Sequence, residues 1–144
     1  ASPTLLTAFD ALRRAVSDPT FAPVHREIAG LAVGVAVDNS YGVAFHSTML
    51  GRLGVDETDI AAMRNGRPPT DAVAGAVHAV AREAALGRGQ VSDAAIEAAS
   101  AAGLTTEDLL ELLLEVSFAT MVGLIDNLAG HVALDAFLAE RRWP

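Results

Sequence analysis

The sequence predicts an all-α fold, a bundle of about seven to eight helices forming one domain over residues 1–144. Apolar residues recur at helical spacing through nearly the whole chain. Capping residues and Gly or Pro breakers punctuate that pattern. No segment shows the strict alternation of a half-buried strand.

The elements follow in order. Leu5, Leu6, Phe9, Leu12 and Val16 share one helical face, with Arg13 and Arg14 outside, and Ser17-Asp18-Pro19 ends that helix. Pro23 suits a first-turn position, where its missing N–H costs nothing, and opens a helix to about Val37. Asp38-Asn39-Ser40 supplies turn or N-cap chemistry for a third helix, which Gly54 closes near Leu53. Asp56 caps a short helix to about Arg64, and Asn65-Gly66-Arg67-Pro68-Pro69 is the clearest loop. Thr70 or Asp71 starts a helix to about Leu86, Gly87-Arg88-Gly89 breaks it, and Ser92 caps the next. After Gly103, Thr105 and Asp108 resemble a capping box. The helix they open carries Leu109, Leu110, Leu112, Leu113, Leu114, Val116 and Phe118, apolar on most sides, which suits either the centre of a bundle or a subunit interface. Val132-Ala133-Leu134-Asp135 reads as a turn into a short terminal helix.

Composition narrows the function. The net charge is -8 and all ten basic residues are Arg, an acidic surface without the basic stripe that nucleic acid requires. No apolar run reaches the roughly 18 residues of a membrane span, and no basic segment precedes an apolar one at the N-terminus, so the expectation is a cytoplasmic protein. The absence of cysteine removes disulfides, thiolate metal sites and thiol redox chemistry together. Aromatic residues make up 5%, so the core is built of Ala, Val and Leu, and the high apolar content suggests surface buried between subunits.

The segment from Glu27 to His46 is the most informative. An apolar helix carries one carboxylate early, then comes a polar break, then a second apolar segment ending in a histidine. This arrangement resembles the core of the alkylhydroperoxidase D-like, carboxymuconolactone decarboxylase-like superfamily. In its redox members a Glu is followed by a C-x-x-C pair and then a His. On this sequence Glu27, Tyr41 and His46 match, and the cysteine positions fall on Asn39 and Gly42. The segments Gly54–Ile60, Arg64–Pro69 and Asp126–Phe137 resemble the family's connector and C-terminal signature. The resemblance implies an oligomer, a trimer or hexamer, with a cavity between the Glu27 helix and the Tyr41–His46 helix. It also implies Glu27 as a proton-relay carboxylate and His46 as its partner. The missing dithiol makes a sulfenic acid or disulfide cycle impossible.

Each residue also has a plainer reading. Glu27 is either a desolvated acid–base group or the partner of an Arg or a helix terminus. His46 is a general acid or base, or a core histidine bonded to a backbone carbonyl. Tyr41 orients a ligand or packs. Asn39, Gly42 and Phe45 are candidate substrate contacts, the Gly leaving a gap where a sulfur would be. His131 approaches the site or caps the long helix. His25 and His78 belong to no motif. A metal site from Glu27, His46 and His131 has no supporting spacing, so no metal or cofactor is expected. Gly30 and Gly34 read as close helix packing. Three functions remain: a cofactor-free acid–base enzyme on a small organic substrate, an oligomeric binding or scaffold protein without chemistry, and a peroxidase, which the missing thiols oppose.

Overall fold

The computed structural model describes residues 2–17 and 21–144. Among them the chain forms α1 (Pro3–Val16), α2 (Pro23–Ala36), α3 (Ser40–Arg52), α4 (Glu57–Arg64), α5 (Ala72–Leu86), α6 (Asp93–Ala101) and α7 (Thr106–Ala129), then a closing 3₁₀ helix (Ala136–Arg141). No strand occurs among the described residues. The Asp18-Pro19 breaker lies outside them, although α1 does end at Val16.

The caps explain the boundaries. Asn39, Asp56, Asp71, Ser92 and Thr105 each accept a hydrogen bond from a first-turn N–H of the helix they open. Asp71 caps α5, whereas Thr70 bonds instead to Asp59. Thr105 and Asp108 form the full capping box.

The centre of the bundle is α2, not α7. It packs against α3, α5 and α7, and it buries every residue from Ile28 to Gly34. The long helix α7 buries Leu112, Val116 and Ala119 but leaves Leu110, Leu113, Leu124 and Leu128 exposed on the single chain. Its apolar content therefore serves two faces. Helix α1 packs on α7, with Phe9 against Phe118 at 5.3 Å between ring centroids. None of its residues is fully buried, so the apolar face read from the sequence is only partly covered.

The C-terminal segment is strapped back onto the bundle. Arg64 donates to the carbonyls of Arg141 and Arg142 at 2.8 Å each, and Trp143 donates through Nε1 to the Arg64 carbonyl at 3.3 Å. Arg141 grips Glu57 with two hydrogen bonds of 2.6 and 2.5 Å. No helix among the described residues is long and apolar enough to cross a membrane.

Candidate functional site

The short Val37–Asn39 connection, with Asp38 in the left-handed region (φ 57°), folds α3 back along α2. The antiparallel register sets Gly34 beside Val43, and Gly30 and Glu27 beside His46. Gly30 is required by that register. A Cβ there would stand 2.3 Å from His46 Cε1 and 2.4 Å from Nε2. With only a hydrogen at position 30, the imidazole packs directly against the backbone of α2.

In that place His46 Nδ1 is 2.7 Å from Glu27 Oε2. Both side chains are mostly covered, at 18% and 23% exposure. A carboxylate on Nδ1 fixes the ring's orientation and leaves Nε2 to give or take a proton. Glu27 therefore pairs with His46 and not with an arginine or a helix terminus. Phe45 meets the same ring edge-on at 5.3 Å.

His46 opens onto a cleft of about 180 Å³. Glu27 does not line it; the carboxylate stands behind the imidazole. The cleft is not confined to the space between α2 and α3, since Phe9 of α1 and Phe118, Ala119 and Val122 of α7 complete its walls.

The other sequence candidates have defined places. Asn39 is buried and spends its side-chain oxygen on the cap of α3, accepting from the Gly42 N–H at 2.9 Å. A Cβ on Gly42 would come within 2.7 Å of Asn39 Nδ2, so the space where a side chain would start is taken by the asparagine amide. Tyr41 lines the cleft, but its hydroxyl donates to Asp135 at 2.7 Å, and that bond raises its pKa. Its phenol is tied to the segment before the 3₁₀ helix and makes no bond to Glu27 or His46. His131 does not line the cleft. Its Nδ1 lies 3.4 Å from Asp126 Oδ2, and its backbone N–H donates to the Asp126 carbonyl, closing α7. Among the histidines without a motif, His25 is half-buried and its pKa is lowered by burial. His78 is 2% exposed, and burial pushes its pKa down to about 4.

The sequence reading missed Glu115. This carboxylic acid is 6% exposed and lies on the wall of the cleft. It also lines a second cavity, of about 280 Å³, beside Arg26, Glu111 and Leu114. Burial pushes its pKa up to about 7; Glu27 acts in the same direction, and His46 and Arg26 offset part of the effect. The signal was present: Glu115 lies three residues after Leu112 and four before Ala119, on the buried stripe of α7. No cluster of His, Asp and Glu suited to a metal ion occurs among the described residues.

The sequence matches the model of the carboxymuconolactone decarboxylase family over residues 3–85, a span that holds Glu27 and His46 but not Glu115. No curated protein matches it. Among solved structures, an uncharacterized peroxidase-related protein from Silicibacter sp. TM1040 is similar with a TM-score of 0.79 at 15% identity, over 95% of this chain and 74% of that one. An alkylhydroperoxidase AhpD core protein from Ralstonia eutropha JMP134, also described as an uncharacterized peroxidase-related protein, is similar with a TM-score of 0.76 at 20% identity, over 99% and 77%. At these identities the likeness establishes the alkylhydroperoxidase D-like fold.

Proposed function

The chain belongs to the carboxymuconolactone decarboxylase family, as a member without cysteines, and on that premise we propose that it is a cofactor-free acid–base enzyme acting on a small organic substrate. The observation that carries this reading is the 2.7 Å pair of Glu27 and His46 beside an open cleft. The roles divide by position. His46, on the cleft wall, is the group that would exchange a proton with the substrate. Glu27, behind it, would hold the ring in place and stabilise the imidazolium while it carries that proton. Proton removal next to a carbonyl and return at a different carbon give an isomerase; expulsion of a leaving group after the first step gives a lyase. In a decarboxylase the C–C bond to the carboxylate would break, CO₂ would leave, and the carbon left with the electron pair would take its proton from His46; in a cyclase His46 would take the proton of the group that closes the ring.

Thiol peroxidase chemistry has no residue to run on. A binding protein without chemistry is the second reading. It is favoured by Tyr41 and Asn39, whose hydroxyl and side-chain oxygen are committed to Asp135 and to the α3 cap. Under either reading we infer self-association as a trimer or hexamer. Exposed Leu110, Leu124 and Leu128 on α7 support it, and light scattering on a sizing column would test it.

The chemistry is tested with a panel of lactones, cyclic ketones and phenols, with and without carboxyl groups, incubated in D₂O and followed by NMR for deuterium incorporation or conversion. General acid–base groups contribute about 10²–10⁴-fold, so Glu27→Gln and His46→Gln should each lose at least about a hundredfold on any molecule turned over, with the assembly intact. Equal rates in the wild type and Glu27→Gln would refute the assignment. No conversion of any panel member would favour the binding reading.

A further inference from the structure

The cleft beside His46 is uneven in its chemistry. Its walls are mainly the rings of Phe9, Phe45 and Phe118, and Gly30 and Gly34 present bare backbone. None of the arginines lines it. Its ionisable groups are His46, Tyr41 and Glu115, with Glu27 one hydrogen bond behind. Tyr41 already donates to Asp135. The cation nearest in sequence to Glu27, Arg26, lines the other cavity. An anionic ligand here would meet the Glu115 carboxyl group and no guanidinium; His46, whose positive charge would already be engaged by Glu27, is the one cationic group on the wall.

From this geometry we propose that the cleft takes an uncharged single-ring molecule carrying one polar group, and rejects the carboxylated counterpart. This names the substrate class of the acid–base reading and rests on it for placing the polar group against His46. The size agrees. The cleft holds about 180 Å³, and an apolar cavity of about 150 Å³ is enough to bind benzene. One ring with a small substituent fits within that volume. The charge preference is written on the cleft wall itself, where Glu115 keeps its proton up to about 7 because burial disfavours the anion. The phenylalanine rings suit a flat ring by offset or edge contacts. Decarboxylation of a carboxylate substrate then drops out of the possible reactions, leaving isomerisation, cyclisation or loss of a neutral group.

The test is fluorine NMR on the intact wild-type chain with 4-fluorophenol and 4-fluorobenzoate at pH 8, where the benzoate and Glu115 both carry charge. We expect the phenol to bind at millimolar concentration or below, and at least about tenfold more tightly than the benzoate. Val122→Trp, with folding checked by circular dichroism, should abolish phenol binding; Ala119→Phe provides a second block. Glu115→Gln should narrow the preference severalfold, mainly by admitting the benzoate. Benzoate binding as tight as the phenol, no phenol binding at millimolar concentration, phenol binding that survives both blocking variants, or a preference unchanged in Glu115→Gln would each overturn the proposal. Turnover enters none of these readouts, so the substrate class and the Glu27–His46 chemistry fail independently.

Discussion

Replacing Gly30 with alanine tests the architecture of the site more sharply than removing a catalytic group. The added Cβ would lie 2.3, 2.4 and 2.7 Å from three atoms of the His46 ring. Carbon contacts normally rest at about 3.5–4.0 Å, so the ring must retreat by about 1 Å or more. The 2.7 Å bond to Glu27 then passes beyond about 3.2 Å, the usual limit of a good hydrogen bond. Overpacking costs about 1–3 kcal/mol, at the low end here because an imidazole can swing. The lost hydrogen bond costs about 1 kcal/mol, and alanine in a helix interior returns up to about 1 kcal/mol. The net expectation is a loss of about 1–2 kcal/mol. Gly75→Ala in α5 provides the control. Its Cβ would meet only the Pro69 carbonyl oxygen at 3.6 Å, an ordinary contact, so it should gain about 0.5–1 kcal/mol. Urea unfolding at one fixed protein concentration measures both variants, and nitrogen NMR of the imidazole reports whether Nδ1 keeps its partner. If Gly30→Ala is as stable as Gly75→Ala, or if His46 stays bonded to Glu27 in it, the reasoning about this helix contact is wrong.

Other perturbations read other parts of the molecule. Glu115 titrates near 7 in the fold against 4.5 for an ordinary glutamate. Between those values the folded state holds the extra proton, and stability falls as pH rises. Glu115→Gln should remove that slope and raise stability above pH 8 by up to about 3 kcal/mol, with no gain below pH 4.5, as read by urea midpoints across pH. His78 slopes the other way: near 4 in the fold and 6.5 outside it, it loses stability as pH falls through that window. The two slopes oppose each other between about pH 4.5 and 6.5, with His25, also lowered by burial, on the side of His78, and Glu115→Gln should make stability rise more steeply with pH there. Arg64→Ala removes the donors that hold Arg141 and Arg142. It should cost about 1–3 kcal/mol and shift the emission of Trp143, the single tryptophan, to the red. An unchanged spectrum would mean that the C-terminal segment is held by other contacts.

The helices were legible in the sequence because their ends are written locally. Asn39, Asp56, Ser92 and the Thr105–Asp108 box cap within three residues of themselves, and nothing distant is needed to place them. The pairing of Glu27 with His46 was legible only through resemblance, since no spacing rule joins two residues 19 apart on different helices. What the sequence withheld depends on tertiary packing. The hydroxyl of Tyr41 finds Asp135 across 94 positions. The layout of the cleft depends on where α1 and α7 come to rest, and so does the buried place of Glu115. The sequence left α7 as either a central helix or a subunit interface, and its leucines divide between the core and an exposed face. The centre went to α2, whose unbroken apolar run from Ile28 to Gly34 is buried on every side and whose Gly30 and Gly34 let α3 approach closely.

The contact between Asn39 and Gly42 bears on how this sequence can change. Putting a cysteine at Gly42 alone drives its Cβ into the asparagine amide at 2.7 Å. Changing Asn39 alone gives up the α3 cap, worth about 1 kcal/mol, and one thiol without its neighbour has no disulfide to form. A single change to cysteine at either position thus carries a structural cost. The two positions are therefore coupled: the asparagine that caps α3 also fills the space a side chain at position 42 would need, so a change at either one is felt at the other.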